Sequence, residues 1–317
     1  MIRLTKSFPR RWLTPLALLL TSILGSGAIQ AAEPVRIAYV DWSSSVASAN
    51  LICAVLRERL GQDCLLVETT AENMWRQVAD GEADALLSAW LPDTHAEYMS
   101  RYGDELDDLG PNLEGTRTGL VVPDVNVGRQ TGATGARTPR LMPAESIADL
   151  AAHRARLGGR IIGIDPEAGI MAATRRALES YGLTDFHLSS GSEQHMTQAL
   201  SDAIARKGWI VVTGWQPHWM FGRWSLRFLD DPKGIYGGTG AIHTMARKGL
   251  KADNPEAHAL LDNFHWTAEE MEQLLVWNTQ GDQDPYLQAQ RWLLNNPKQV
   301  GAWLPASTQA STQAQED

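Results

Sequence analysis

The fold class is indicated most clearly by one stretch near the start of the chain, VRIAYVDWSSSVASANLICAVLRERLG, residues 35–61. Its first six residues are mostly apolar or β-branched and predict a strand. From Ala49 to Leu60, apolar residues recur at helical spacing, and Gly61 follows at the position where helices commonly end. The stretch therefore predicts a strand, a short turn that carries Trp42, and then a helix.

The same alternation of strand and helix continues along the chain. Sequence patterns predict strands at Cys64–Val67, Ala85–Ala89, Arg160–Ile164 and Trp209–Thr213, and helices at Glu72–Ala79, Met171–Tyr181, Glu193–Lys207, Ala268–Asn278 and Pro285–Leu304. This alternation predicts an α/β fold of mostly parallel sheets flanked by helices. Residues 305–317 form a polar, low-complexity tail that we expect to be disordered.

Composition and charge exclude several classes of protein. A chain of 317 residues suits two modest domains, and a net charge of −9 argues against nucleic-acid binding. The eight histidines are scattered, and the closest pair, His258 and His265, has no third ligand nearby, so neither a metal site nor a cofactor is predicted. No motif typical of a catalytic nucleophile, a phosphate loop or a dinucleotide site is present, so enzymatic activity is not indicated.

The first 32 residues have the pattern of a secretory signal peptide. Four basic residues without any acidic one precede or border an apolar run from Trp12 to Ala28, and the small residues Ala31 and Ala32 follow. This pattern predicts cleavage near Ala31-Ala32 and a periplasmic product. A membrane anchor is the alternative, which the glycines and the proline inside the run disfavour. Removal of residues 1–32 leaves 24 basic and 37 acidic residues, a net charge of −13.

Cys53 and Cys64 are the two cysteines of the chain, eleven positions apart. The first lies in the predicted helix and the second opens the next strand. In an oxidising compartment such a pair favours a structural disulfide, and a closed loop of this size contributes roughly 3 kcal/mol of stability. A reactive thiol is the alternative interpretation.

Tryptophan is unusually frequent, with 12 Trp against 6 Tyr and 5 Phe. Trp42, Trp90 and Trp215 each follow a predicted strand directly. Because ligands of open α/β sheets bind beyond the carboxyl ends of the strands, we expect these three residues to meet in one cleft. An aromatic enclosure suits a quaternary ammonium group, and each ring face contributes on the order of 0.5–2 kcal/mol when desolvated. The other tryptophans of the mature chain are predicted to pack in the core: Trp75, Trp209, Trp219, Trp224, Trp266, Trp277, Trp292 and Trp303.

A second candidate feature is the segment GIDPEAGIM, residues 163–171. It is predicted to contain a strand end, a turn and the start of a helix, so that backbone N–H groups near Gly169 and Ile170 point outward. A helix N-terminus of this kind accepts a carboxylate readily. An ordinary connection between a strand and a helix is the alternative interpretation.

Taken together, several segments resemble the substrate-binding proteins of ABC importers for glycine betaine and related quaternary amines, which are type II-like periplasmic binding proteins. These segments are YVDW (39–42), AWLPDTH (89–95), GLVVP (119–123), GIDPEAGIM (163–171), VTGWQPHWMF (212–221) and IHTMARKGL (242–250). The resemblance extends over about residues 35–304.

The resemblance implies a two-lobed fold whose lobes close on a ligand in the cleft between them. One lobe would comprise residues 33–123 together with 242–304, and the other residues 124–241. A trimethylammonium group would be enclosed by a cation box of Trp42, Trp90 and Trp215. Its carboxylate would be held by Gly169, Ile170 and His95. The resemblance also implies a monomeric, non-enzymatic carrier in the periplasm, which delivers its small-molecule ligand to an ABC permease at the inner membrane.

Several alternatives stay open at this point. Choline, carnitine or proline betaine could be the main ligand of the same fold. Two alternatives come from other classes: a hydrolase that uses Asp41, His95 or His218, and a sugar-binding protein. The chain also departs from the family pattern in two places. Glu167 stands where the family usually has glycine, which brings a negative side chain near the expected carboxylate site, and the loop Asn126–Leu141 is longer than expected.

Overall fold

The computed structural model describes residues 33–125, 140–281, 284–306 and 308. The predicted signal peptide (1–32), most of the predicted loop 126–141 and most of the predicted tail 305–317 lie outside these residues. Within the described part of the chain, no helix is both long enough and apolar enough to cross a membrane.

The stretch of residues 35–61 forms a strand and a helix as predicted. Strand β1 (Val35–Tyr39) leads through the turn at Trp42 into helix α1 (Ser43–Leu60). Gly61 ends the helix in the left-handed conformation, with φ at 63°, which glycine adopts without steric cost. A disulfide joins Cys53 in α1 to Cys64 in the next strand, with their Cα atoms 5.3 Å apart.

Among the remaining elements, strands and helices alternate through most of the chain, and five consecutive helices end it. In the first part of the chain these are β2 (Cys64–Glu68), α2 (Ala71–Ala79), β3 (Ala85–Leu91), α3 (Ala96–Tyr102) and β4 (Leu106–Pro123). In the middle part they are α4 (Arg154–Leu157), β5 (Arg160–Ile162), α5 (Gly169–Ser180), β6 (His187–Ser189), α6 (Glu193–Ala205), β7 (Val212–Gln216), α7 (Trp219–Arg223) and β8 (Leu226–Phe228). In the last part they are β9 (Gly240–Arg247), α8 (Leu250–Asp253), α9 (Pro255–Asn263), α10 (Ala268–Asn278), α11 (Pro285–Asn295) and α12 (Pro297–Trp303).

The strands form two parallel groups joined by antiparallel strands. Their order is β2-β1-β3-β9-β4-β7-β5-β6, with β8 paired to β4. Strand β1 pairs in parallel with β2 and β3, and β5 pairs in parallel with β6 and β7. Strands β9 and β4 lie between these groups and pair antiparallel with their neighbours. The predicted α/β class is confirmed, and its parallel part is confined to the two groups.

The 18-residue strand β4 connects the two halves of this strand order. Its residues 106–116 pair with β9, and its residues 117–121 pair with β7. The register of β4 against β9 shifts at three places, on both sides of Pro111 and between Glu114 and Thr116. Because such irregularities bend a strand, β4 can run from one parallel group to the other.

The structure corrects several predicted element boundaries, three of which change the description of an element. The strand predicted at Trp209–Thr213 begins at Val212 and continues to Gln216, since its later residues pair with β4. The strand predicted at Ala85–Ala89 extends to Leu91, because Trp90 and Leu91 pair with β9. The helix predicted at Pro285–Leu304 is divided into α11 and α12, since Pro297 cannot donate a backbone hydrogen bond and begins a new helix.

The tryptophans that were predicted to pack in the core fall into two groups. Trp75, Trp266, Trp292 and Trp303 are buried. Trp209, Trp219, Trp224 and Trp277 are only half-buried and pack against the edge of the core. An arginine guanidinium covers the ring in three of these, at 4.1 Å for Arg156 over Trp209, 4.2 Å for Arg291 over Trp277 and 5.3 Å for Arg223 over Trp224. The predicted packing thus places the first group inside the core and the second group at its edge, where part of the ring of Trp209, Trp224 and Trp277 lies under a charged side chain.

Candidate ligand-binding site

A small cavity lies among residues that are far apart in the sequence. Its lining consists of Trp42, Ser44, Trp90, Thr94, His95, Thr118, Ile164, Ala168, Gly169, Ile170 and Trp215. All six residues that the sequence analysis selected for ligand binding belong to this lining. The combination of aromatic walls with a few polar groups is typical of small-molecule sites.

The three tryptophans of the lining come from three different strands. Trp42 follows β1 and occupies the position before the first turn of α1. Trp90 and Trp215 were predicted to follow their strands but are the next-to-last residues of β3 and β7. Each of the three is 5% exposed, so all three rings are withdrawn from bulk solvent and border the cavity. We call Trp42, Trp90 and Trp215 the tryptophan box.

The indole of Trp42 is held by a carboxylate from the turn between β5 and α5. Trp42 Nε1–H donates to Asp165 Oδ2 at 2.8 Å. Asp165 lies in the turn between β5 and α5, four residues before Gly169. This hydrogen bond joins the tryptophan box directly to the turn that was predicted to bind a carboxylate.

A buried histidine and a buried carboxylate lie behind the box, and they contact each other. His218 packs edge-on against Trp215 with their ring centroids 4.7 Å apart, and its Nε2 lies 3.0 Å from Glu193 Oε1. Glu193 Oε2 also accepts the backbone N–H of Ser43, the residue after Trp42, at 2.9 Å. Burial alone would raise the pKa of Glu193, but the neighbouring His218 and the Ser43 N–H hold it below its usual value. One carboxylate thus braces the backbone beside Trp42 and the ring behind Trp215.

A polar part of the cavity wall is formed by the N-terminus of α5. Helix α5 begins at Gly169, two residues earlier than predicted, so Gly169 and Ile170 are its first two residues. Their backbone N–H groups have no acceptor within the helix, and the helix dipole places partial positive charge there. A Cβ atom on Gly169 would lie 1.9 Å from the carbonyl oxygen of Thr94, so only glycine allows the two backbones to approach this closely.

His95 completes this polar end as a neutral donor. The side chain is buried, and its Nδ1 accepts the backbone N–H of Trp90 at 3.1 Å. The ring proton of the neutral imidazole therefore lies on Nε2. Burial lowers the pKa of His95 to about 3, which keeps the ring uncharged at neutral pH.

Glu167 does not enter the cavity. Its side chain is exposed, and its backbone oxygen accepts the hydroxyl of Tyr98 at 2.6 Å. Burial together with the nearby charges of Glu167 and Glu72 raises the pKa of Tyr98 to about 12, so the phenol remains a donor. The negative side chain expected near the carboxylate site thus points away from it.

Acidic groups are concentrated around Trp42. Asp165 contacts the indole, Glu193 contacts the next residue, and Asp41 precedes it. Burial raises the pKa of Asp41, and the charges of Glu68, Glu193 and Asp165 raise it further. Negative potential of this kind favours a cation at the adjacent ring faces.

Sequence reasoning missed several residues of the site. Ser44, Thr94, Thr118, Ile164 and Ala168 line the cavity, and Asp165 and Glu193 support it. Ser44 is buried in the first turn of α1, and its hydroxyl has no hydrogen-bond partner among the described residues. Thr94, Ile164 and Ala168 lie inside the segments that carry the family resemblance, whereas Glu193 has no motif around it that could have indicated its contact.

The residues suggested for a hydrolase do not come together in the cavity. Asp41 is exposed and His218 is buried behind Trp215, so of the three only His95 lines the cavity. Among the described residues, no group of three or more His, Cys, Asp or Glu side chains could hold a metal ion.

Comparison with known proteins gives a consistent set of relatives. Residues 33–295 match the family described as the substrate binding domain of the ABC-type glycine betaine transport system. The glycine betaine/carnitine transport binding protein GbuC of Listeria monocytogenes is 49% identical over 145 residues. That match covers 45% of this chain and 48% of GbuC, so it spans about half the length of this relative.

Two solved structures are similar over most of the chain. Lactococcal OpuAC, in its closed-liganded conformation with glycine betaine, is 39% identical with a TM-score of 0.77, covering 86% of this chain and all of that one. The glycine/betaine/L-proline-binding protein ProX of Borrelia burgdorferi is 32% identical with a TM-score of 0.80, covering 88% and 99%. These similarities bear out the predicted two-lobed α/β fold.

Proposed function

Because this chain belongs to the family of substrate-binding domains of ABC-type glycine betaine transport systems, we propose that it binds glycine betaine or a closely related quaternary ammonium compound in the cavity and delivers it to an ABC permease. The family is a transport family, and the proposed role involves no chemical change of the ligand. The protein acts as a non-enzymatic carrier.

One observation carries the proposal: a single cavity combines three tryptophan rings with an anion-accepting helix N-terminus. A betaine has the same two features in one small molecule, a trimethylammonium group and a carboxylate. The methylated cation has no N–H groups to lose from water, so aromatic faces can replace its hydration. Trp42, Trp90 and Trp215 would enclose it.

The carboxylate would bind the backbone N–H groups of Gly169 and Ile170 together with Nε2–H of His95. All three are neutral donors, and the dipole of α5 adds favourable electrostatic potential. This assignment favours betaines over choline, which has a hydroxyl group where a betaine has its carboxylate. Carnitine and proline betaine retain the carboxylate and remain alternative ligands of the same site.

Closure of the two lobes would assemble this site. The proposed lobes comprise residues 33–123 with 242–304 and residues 124–241. Between these ranges run the hydrogen bonds from Trp42 to Asp165, from Ser43 to Glu193 and from Tyr98 to Glu167. Opening would break these contacts and admit the ligand, a hinge closure of the kind known for periplasmic binding proteins.

The proposed location is the periplasm, after cleavage of the signal peptide near Ala31-Ala32. The disulfide between Cys53 and Cys64 is consistent with an oxidising compartment. We propose that the mature chain is a monomer that meets the permease at the inner membrane.

The proposal is tested by calorimetry and tryptophan fluorescence on the mature chain with glycine betaine, proline betaine, carnitine and choline. We expect saturable binding of a betaine to one site, with a change in fluorescence as the box closes on the cation. No heat and no fluorescence change with any of the four would contradict the proposed function. Choline binding far more tightly than every betaine would overturn the assigned roles of His95, Gly169 and Ile170.

A further inference from the structure

We propose that Asp165 is a positioning residue that increases the affinity of the tryptophan box for a cation by acting through the indole of Trp42. This inference rests on the proposed function, since it concerns how the same site prefers a charged trimethylammonium group to a neutral group of equal shape. Asp165 does not line the cavity, so its effect passes through the ring that it contacts.

The geometry of the contact is specific. Asp165 Oδ2 accepts the Trp42 Nε1–H at 2.8 Å, across 123 positions of sequence. The bond lies at the edge of the indole, so both faces of the ring stay free of it. The same hydrogen bond fixes the orientation of the indole ring relative to the turn that leads to Gly169.

A carboxylate at this position does more than orient the ring. A hydrogen bond from an N–H to an anion is stronger than one to a neutral acceptor and shifts electron density toward the ring. The face of an aromatic ring attracts cations through its negative quadrupole. Accepting the indole proton with a charged group therefore makes the Trp42 face more attractive to a trimethylammonium group.

Two ligands of equal shape distinguish this electrostatic effect from an effect on the orientation of the indole ring alone. Glycine betaine carries a trimethylammonium group, and tert-butylacetic acid carries a neutral tert-butyl group in its place on the same carboxylate. An orienting role of Asp165 affects both ligands equally. An electrostatic role affects the cation only, and removal of a negative charge near the site slightly favours the anionic analogue.

The test compares both ligands by calorimetry in the wild-type protein and in Asp165→Asn, whose amide oxygen still accepts the indole N–H. We expect the affinity for glycine betaine to fall about tenfold while that for tert-butylacetic acid stays the same or rises. Glu167→Gln is the matched control, since it removes the same charge from an exposed position two residues away in the same turn. It should leave the ratio of the two affinities unchanged.

The inference is overturned if Asp165→Asn weakens both ligands equally or weakens neither. If tert-butylacetic acid binds neither protein, a second comparison decides: Asp165→Asn in a Trp42→Phe background, where the N–H is absent, should no longer affect glycine betaine. An equal loss in both backgrounds contradicts an action through the indole. Failure of the wild-type protein to bind glycine betaine or its relatives would instead contradict the proposed function.

Discussion

The tryptophans of the box and the tryptophans of the C-terminal helices are almost equally hidden from solvent but have different surroundings. Trp42, Trp90 and Trp215 are 5% exposed, and Trp266, Trp292 and Trp303 are 0–4% exposed. In the C-terminal group the rings cover one another: Trp292 and Trp303 stack in parallel at 5.6 Å, and Trp266 meets Trp292 edge-on at 6.2 Å. In the box, ring surface borders a cavity.

This difference shows that burial alone does not distinguish a binding tryptophan from a packing one. What distinguishes them is the group that lies against the ring. A ring covered on all sides by protein contributes its contacts to stability, whereas a ring that borders a cavity reserves part of its contact surface for a ligand. Substitutions in the C-terminal group should therefore lower stability, and substitutions in the tryptophan box should lower affinity for the ligand.

The largest effect is expected on the stability side of the comparison. Trp292→Ala removes a fully buried ring from the C-terminal group and should lower the free energy of unfolding by about 3–5 kcal/mol. Urea unfolding of the mature chain measures this loss. The affinity for glycine betaine should remain unchanged at a temperature where the variant is folded, and a large loss of affinity would show that the two groups are not independent.

The next effect concerns the close approach of the Gly169 and Thr94 backbones. Gly169→Ala places a Cβ atom 1.9 Å from the Thr94 carbonyl oxygen, and neither backbone can rotate away as a side chain would. We expect a loss of at least about 100-fold in affinity for glycine betaine, because the closed arrangement is blocked. Gly301→Ala is the control, since a Cβ there meets nothing within 4 Å. Tight binding by Gly169→Ala would contradict the closure that we propose.

A smaller loss is expected when one wall of the box is removed. Trp90→Ala should weaken glycine betaine binding by about 10- to 100-fold, since one ring face and its apolar contact are lost. Trp277→Ala serves as the matched control, because this half-buried ring packs under Arg291 and does not line the cavity. Equal losses of affinity in the two variants would contradict the role of Trp90 as a wall of the box.

A further effect is a pH dependence of stability that comes from His95. Burial holds the pKa of His95 near 3 in the folded state, below the ordinary value of about 6.5 in the unfolded state. Between these two pKa values the unfolded chain therefore binds the proton more readily than the folded chain. The free energy of unfolding rises with pH by up to about 1.4 kcal/mol per pH unit, and the contribution of His95 is fully present above about pH 6.5.

His95→Asn should lose this contribution. Unfolding without ligand, compared between wild type and variant from about pH 5 to pH 7, isolates the contribution of His95, since other titrating groups are common to both proteins. A difference in stability that does not change with pH would contradict the neutral state assigned to His95.

Much of the fold and of the site could be predicted because the decisive signals are local. In residues 35–61, the spacing of apolar residues and the position of Gly61 predict a strand followed by a helix. Trp42, Trp90 and Trp215 stand in recognisable segments near strand ends. Trp42 and Trp90 lie close together because the parallel strands β1 and β3 present their carboxyl ends at one edge, whereas Trp215 comes from β7 in the other parallel group and borders the same cavity. The turn at Gly169 could be predicted as a carboxylate site because a helix N-terminus presents free backbone N–H groups.

What could not be predicted depends on contacts between distant segments. The hydrogen bond from Trp42 to Asp165 spans 123 positions, and that from Ser43 to Glu193 spans 150. The ends of β3 and β7 are set by pairing with β9 and β4, so local patterns placed Trp90 and Trp215 just beyond their strands. Strand β4 itself contains Gly110, Pro111 and Gly115, which interrupt the alternation that would have revealed an 18-residue strand.

The central claim is that the cavity recognises both charges of a betaine, and a crystal structure of the mature chain with glycine betaine tests it most directly. We predict the trimethylammonium group in contact with the rings of Trp42, Trp90 and Trp215. The carboxylate should accept hydrogen bonds from the N–H groups of Gly169 and Ile170 and from His95 Nε2. A ligand bound outside this cavity, or with its carboxylate directed toward the tryptophan box, would contradict the account.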